Sequence, residues 1–325
     1  MARNSHLSRL ITVVKEKYAA IDELKSLTGF VGILILAAII TPQFYLPQNV
    51  TMLLGQVSVI AIAAIGEAFV ILAGSIDLSV GSIIGLANVV AAILISQYNF
   101  SPYMALFSVM TIGGIIGFFN GLLVTRLRIP SFVTTLATLT IVRGIAYIIS
   151  GGLNIPVYNE EFLKLNEVLY GVPIIFWIYL AALIILAVFF EKTRMGLYIR
   201  AIGSNELAVR NLGVDNAGMK SLAFMFSGIC SALAGYVLAV RLGAGYPHSG
   251  IGYELDVIAA VVVGGVALTG GAGSLIATTI GAFIMTSILN IMVLAGVGGF
   301  VQYVVRGVIL LVAALAMRRM VVFVK

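Results

Sequence analysis

Three stretches of this chain, residues 26–66, 78–125 and 257–305, contain no Asp, Glu, Lys or Arg. A helix crosses a hydrocarbon core in roughly 20 residues, so each stretch is long enough to cross twice. Charged residues make up 10% of the chain and hydrophobic ones 61%, whereas soluble domains carry about a quarter charged residues. A water-soluble fold is excluded. The apolar runs are continuous instead of alternating with period two, which excludes a transmembrane β-barrel. Cutting at polar and turn-forming residues gives spans near 28–46, 50–73, 80–97, 103–124, 131–150, 172–190, 219–241, 255–268, 273–295 and 301–317. The expected fold class is an all-α integral membrane protein of about ten transmembrane helices. Its first span begins only after a polar, basic stretch and has no small-residue cleavage site behind it, unlike a signal peptide.

Short cytoplasmic loops keep Lys and Arg during insertion. With the N-terminus inside, all but Arg143, Lys164, Arg241 and Arg306 of the 19 Lys and Arg fall on the inner side. Both termini are therefore expected in the cytoplasm, in a multi-pass protein of the plasma (inner) membrane. The net charge of +6 reflects this topology and anionic lipid, and gives no reason to invoke nucleic acid. The layout expected is a cytoplasmic amphipathic segment over 1–27 and one transmembrane domain over 28–325, with an inner loop at 191–218. Within the first segment, Leu7, Leu10, Ile11, Val14, Tyr18, Ile21 and Leu24 recur at helical spacing, as in a helix lying on a membrane or packed on its own protein.

Catalytic chemistry has little to draw on. There is no phosphate-binding GxxxxGK[ST], HExxH, GxSxG or CxxC pattern. With only His6, His248 and Cys230, neither a metal site nor a nucleophilic triad is expected, and no cofactor. The chain is read as a non-enzyme; if ATP drives it, hydrolysis belongs to a partner.

Two interruptions carry the information. Ala73–Ser82 places Gly74, Ser75, Asp77 and Ser79 between two uncharged runs. Irregular backbone survives at membrane depth only where protein or a water-filled cavity satisfies it, and a carboxylate there needs partners. Asp77 can cap the following helix through the N–H groups of Ser79 and Val80, line a pathway, or do both. The second break, 264–274, holds five glycines, Gly264, Gly265, Gly270, Gly271 and Gly273. Paired breaks in two halves of a chain point to a transporter's central site, to broken helices near the midplane and to a five-plus-five repeat; close helix packing is the alternative account of the glycines. In the inner loop, Gly203 and Gly213 bracket a helix of about nine residues in which Glu206 and Arg210, four apart, can pair. Such a surface helix suits docking into a partner's groove, the plainer alternative being an ordinary interfacial loop.

Four motifs together resemble a family: Gly74–Ser82 (GSIDLSVGS), Asn120–Val124 (NGLLV), Arg200–Val214 (RAIGSNELAVRNLGV) and Gly252–Gly265 (GYELDVIAAVVVGG). They are similar to the permease subunits of ATP-binding-cassette sugar importers, in the ribose, xylose and autoinducer-2 branch of the branched-chain amino-acid/ribose permease superfamily. The resemblance covers nearly the whole chain from about residue 28. It implies a homodimer or a pair of homologous permease chains, two cytoplasmic ATPase domains, an extracytoplasmic sugar-binding protein, and import of a monosaccharide, a ribose-like pentose or a hexose. On this reading Glu67, Ser75, Asp77, Ser79 and Asn120 are the candidates for the translocation path; Gly203, Asn205, Glu206, Arg210 and Gly213 couple to the ATPases; Tyr246 and His248, in the outer loop 243–250, contact the binding protein. Glu67 departs from the family pattern, in which that position is more often uncharged. It could mark unusual substrate polarity or pair with Arg143. The rival reading is an ion-coupled secondary transporter with Glu67 and Asp77 as ion carriers.

Overall fold

The computed structural model describes residues 22–322, without the side chains of Asp22, Lys25 and 316–322. The amphipathic helix expected over 7–24 lies outside the described residues except for its last three. In chain order the helices are α1 (Asp22–Ile40), α2 (Pro47–Leu72), α3 (Val80–Ser96), α4 (Pro102–Thr125), α5 (Ser131–Ser150), α6 (Glu160–Lys164), α7 (Ile174–Lys192), α8 (Arg194–Ser204), α9 (Glu206–Asn211), α10 (Asn216–Leu242), α11 (Tyr253–Val263), α12 (Leu275–Leu294) and α13 (Gly299–Val322). Each of the ten apolar segments read from the sequence contains most of one of these helices. Among the described residues six of them, α2, α4, α5, α7, α10 and α12, are long and apolar enough to cross a membrane, while α1, α3 and α13 carry shorter apolar stretches.

Proline and glycine set the ends. The first helix stops at Ile40, short of the expected residue 46, because Pro42 and Pro47 divert the chain through a 3-10 turn, Pro42–Tyr45, before α2 begins. The eighth segment, expected to reach residue 268, stops at Val263, where Gly265 at φ +94° turns the chain out of the helix. Two antiparallel ladders of two residues each were not foreseen: β1 (Ile155–Pro156) pairs with β4 (Ala244–Gly245), and β2 (Val168–Leu169) with β3 (Val172–Pro173) across Tyr170–Gly171, both at positive φ.

The core is built around α2 and α10, whose side chains are mostly buried. Against α10 lies α4, and the two approach to backbone contact along Gly113, Gly117 and Gly121, spaced one helical turn apart. A Cβ on Gly117 would lie 2.2 Å from the Phe224 carbonyl oxygen, and one on Gly228 would lie 2.0 Å from that of Gly113. Small residues are what permit helices to approach this closely where dispersion replaces the hydrophobic effect as the driving force. The outer helices α1, α4, α5, α7 and α13 turn large side chains such as Ile39, Phe107, Ile148, Ile185 and Val304 outward. Apolar faces of this extent call for lipid or another chain.

Candidate functional site

The first break leaves α2 at Leu72, turns at Gly74 (φ +74°) and climbs back into the bundle. Asp77 thereby reaches the level of Glu67, whose Oε1 accepts the Asp77 N–H at 3.0 Å; five residues of α2 correspond to roughly 7.5 Å of depth. The Asp77 carboxylate is wholly buried. Its Oδ1 accepts the Ser79 N–H (2.9 Å) and hydroxyl (2.5 Å), and its Oδ2 accepts the Ser227 hydroxyl from α10 (3.0 Å). Of the two bonds expected of Asp77 as a cap, the one from the Ser79 N–H is present, and Ser79 itself holds the N-cap position of α3. Beyond it, Asn120 Nδ2 donates to Ser79 Oγ (3.0 Å) and Thr138 donates to Asn120 Oδ1 (2.6 Å), tying α4 and α5 into the same network.

Four of the expected path residues, Glu67, Asp77, Ser79 and Asn120, thus meet in one cluster, all wholly buried, with Ser75 buried nearby. In this conformation the cluster braces the break. Neither carboxylate belongs to an ion pair among the described residues, and Glu67 Oε2 has no hydrogen-bond partner among them. Arg143, offered from the sequence as a partner for Glu67, instead donates to the carbonyls of Ser249 (2.6 Å) and Gly250 (3.2 Å). A guanidinium on α5 satisfies irregular loop carbonyls there, a need that no one-dimensional pattern announces. Ser227 and Thr138 were missed; both are hydroxyl residues inside apolar helices, where such residues usually bond their own backbone.

The second break meets the first. The Gly271 N–H donates to the Leu72 carbonyl (3.0 Å), and both lie against the end of α8. A Cβ on Gly203 would stand 1.9 Å from the Leu72 oxygen and 2.5 Å from the Gly271 nitrogen, and one on Gly271 would stand 2.1 Å from Ser204 Oγ. Gly270 and Gly271 both sit at positive φ. Leu72, Gly203 and Gly271 form a three-way junction of bare backbone joining α2, the inner loop and the glycine-rich break.

Gly203 therefore does not open the loop helix; it lies in the last turn of α8, a fully helical segment. The following helix, α9, begins after Asn205, whose side chain accepts the Ala208 N–H (3.0 Å), and it is six residues long. Gly213 follows its end at φ +81°. Glu206 pairs with Lys220 of α10 (2.6 Å) and not with the expected Arg210: on so short a helix the neighbouring element offers the nearer cation. Arg210, Leu207 and Leu212 are exposed beside an open groove of about 660 Å³. In the outer loop, Tyr246 is half-buried with its N–H held by Asn88 Oδ1 (2.6 Å), and His248 is exposed and hydrogen-bonded to the Tyr147 hydroxyl (3.1 Å).

Residues 49–314, the region that contains all of these features, match the family described as branched-chain amino acid transport system / permease component. The chain belongs to that permease family. This permease is 39% identical over 295 residues to the L-arabinose transport system permease protein AraH of Escherichia coli K12, covering 90% of each chain. It is 38% identical over 303 residues to the ribose import permease protein RbsC of Bacillus subtilis, covering 91% of this chain and 94% of that one. It is 36% identical over 275 residues to the L-arabinose ABC transporter permease protein AraH of Azospirillum brasilense, covering 84% and 81%. No solved structure matches the permease.

Proposed function

We propose that this permease is the transmembrane subunit of an ATP-binding-cassette importer that carries a monosaccharide, a pentose or hexose, into the cytoplasm. Near-full-length similarity to arabinose and ribose permeases is the observation that carries the reading. ATP is hydrolysed by two partner ATPase domains, the sugar arrives on an extracytoplasmic binding protein, and a second permease chain completes the path. Ten spans cross the inner membrane, with both termini cytoplasmic and the two breaks lying at membrane depth as corresponding parts of a five-plus-five repeat. The exposed Leu207, Arg210 and Leu212 dock the ATPase, and Tyr246 and His248 face the binding protein.

The mechanism follows from the junction. ATPase closure displaces α9 and the adjoining end of α8. Because Gly203 touches both the Leu72 carbonyl and Gly271 without an intervening side chain, the displacement reaches both breaks at once. The Glu67–Asp77–Ser79–Asn120 network then decides whether the first break holds or gives. The test is ATP-dependent uptake of pentoses and hexoses by proteoliposomes holding this chain with the ATPase and binding protein encoded beside it. Uptake that follows an imposed ion gradient and ignores ATP would restore the secondary-transporter reading.

A further inference from the structure

The motif at 252–265 contributes a feature that neither break uses. Asp256 of α11 is 98% shielded and pairs with Arg306 of α13 through a single contact, Oδ2 to Nη1 at 3.1 Å. Guanidinium and carboxylate can meet through two parallel bonds; here they do not. Asp256 Oδ1 and Arg306 Nε are buried with no hydrogen-bond partner among the described residues, and so is the hydroxyl of Thr286 on α12. These side chains, with Gln56 of α2 and Tyr253 of α11, line a cavity of about 60 Å³ where the four helices converge. The Tyr303 ring lies 5.5 Å from the Arg306 guanidinium carbon and helps fix it in place.

Donor, acceptor and hydroxyl, each without a protein partner among the described residues, are gathered on one cavity beside an aromatic ring, as a site for a polar ligand requires. Buried polar groups are ordinarily satisfied by protein or by ordered water, so these atoms are open to water or to the hydroxyls of a ligand that displaces it, and small-molecule sites are apolar or aromatic hollows with a few convergent polar atoms. A volume on the order of four water molecules is too small to enclose a sugar and suits the hydroxyls along one edge of it. Adjacent hydroxyls each donate and accept, which is what neighbouring Asp256 Oδ1 and Arg306 Nε require.

We propose that Asp256, Thr286 and Arg306 form a hydroxyl-binding station that reads one edge of the transported monosaccharide, and so contributes to specificity within the permease itself. This rests on the sugar-importer reading. It assigns Thr286 and Arg306 to the recognition of substrate, with Gln56 and Tyr253 bounding the site.

The test uses the full importer in proteoliposomes, supplied with a panel of pentoses and hexoses and their monodeoxy analogues. The native chain is compared with Thr286→Val, which keeps shape and removes the hydroxyl, and Arg306→Lys, which keeps the charge and removes Nε. Because the binding protein is the same throughout, its selectivity cancels in the ratio of parent-sugar to deoxysugar uptake. A site built to bond a hydroxyl rejects the analogue lacking it, so for at least one deoxy position the native ratio is expected to fall by about tenfold in the variants. Thermal stability and basal ATPase rate are read alongside, since loss of a purely structural contact moves those and leaves the ratio alone. An unchanged ratio in both variants, with native uptake intact, overturns the station and leaves the sugar reading standing. Failure of the native importer to carry any sugar on the panel removes both.

Discussion

The two breaks solve the same problem by opposite means. At 73–79 the backbone is held by side chains: two carboxylates, Asn120 and the hydroxyls of Ser79, Ser227 and Thr138 in one hydrogen-bonded cluster. At 264–274 it is held by glycines whose missing side chains let backbone touch backbone. A side-chain brace can be altered one atom at a time. A backbone junction tolerates nothing, because any Cβ lands on a neighbouring main chain. The first arrangement suits a gate whose strength is tuned; the second suits a rod that transmits displacement.

The largest effect is expected at the junction. Gly203→Val should abolish sugar uptake and lower stability by about 3 kcal/mol, the upper range for an overpacked contact, read as uptake and as thermal transition in detergent. Gly271→Ala combines a steric clash with positive φ and should cost about 2 kcal/mol. If both variants transport normally, the rigid side of the comparison fails.

At the brace, Asp77→Ala strands the Ser79 N–H and the hydroxyls of Ser79 and Ser227 and should cost about 2–3 kcal/mol. Asp77→Asn keeps one accepting oxygen and should cost about 1 kcal/mol. Equal melting temperatures for the two variants would mean that the cluster braces nothing.

Smaller still is Glu67→Gln. The amide oxygen continues to accept the Asp77 N–H while a desolvated acid is removed, so stability should change by less than about 1 kcal/mol or rise. If uptake falls more than about tenfold while ATPase activity persists, the acid itself serves the path.

The smallest effect on folding belongs to Glu206→Arg. The Glu206–Lys220 pair is half exposed on the glutamate side, and such pairs contribute about 0–1 kcal/mol. The variant should insert and melt as the native chain does, yet uncouple ATP hydrolysis from uptake. Normal coupling would detach α9 from the ATPase contact.

Much of this was legible beforehand, for identifiable reasons. Uninterrupted apolar runs located the ten helical segments, since helix length and the absence of charge are local properties. The cap of Asp77 on Ser79 was also readable, because its partners lie two residues apart. What could not be read is long-range. Ser227 is 150 residues from Asp77, and the meeting of Leu72 with Gly203 and Gly271 depends on how helices cross. The Glu206–Arg210 pairing failed because spacing names the residues that share a helix face and is silent about a neighbouring helix. The early end of α1 was missed: Pro42 and Pro47 mark it, but the first span was carried through them to residue 46.

The glycine seam between α4 and α10 has a consequence for motion. With carbonyl oxygens standing where a methyl group would be, sliding by even a fraction of a turn would bring larger residues into the crossing. The pair is therefore expected to travel through a transport cycle as one blade. Bending is then expected at its margins, where Gly243 at φ +62° ends α10 and Arg126 leads the chain out of α4.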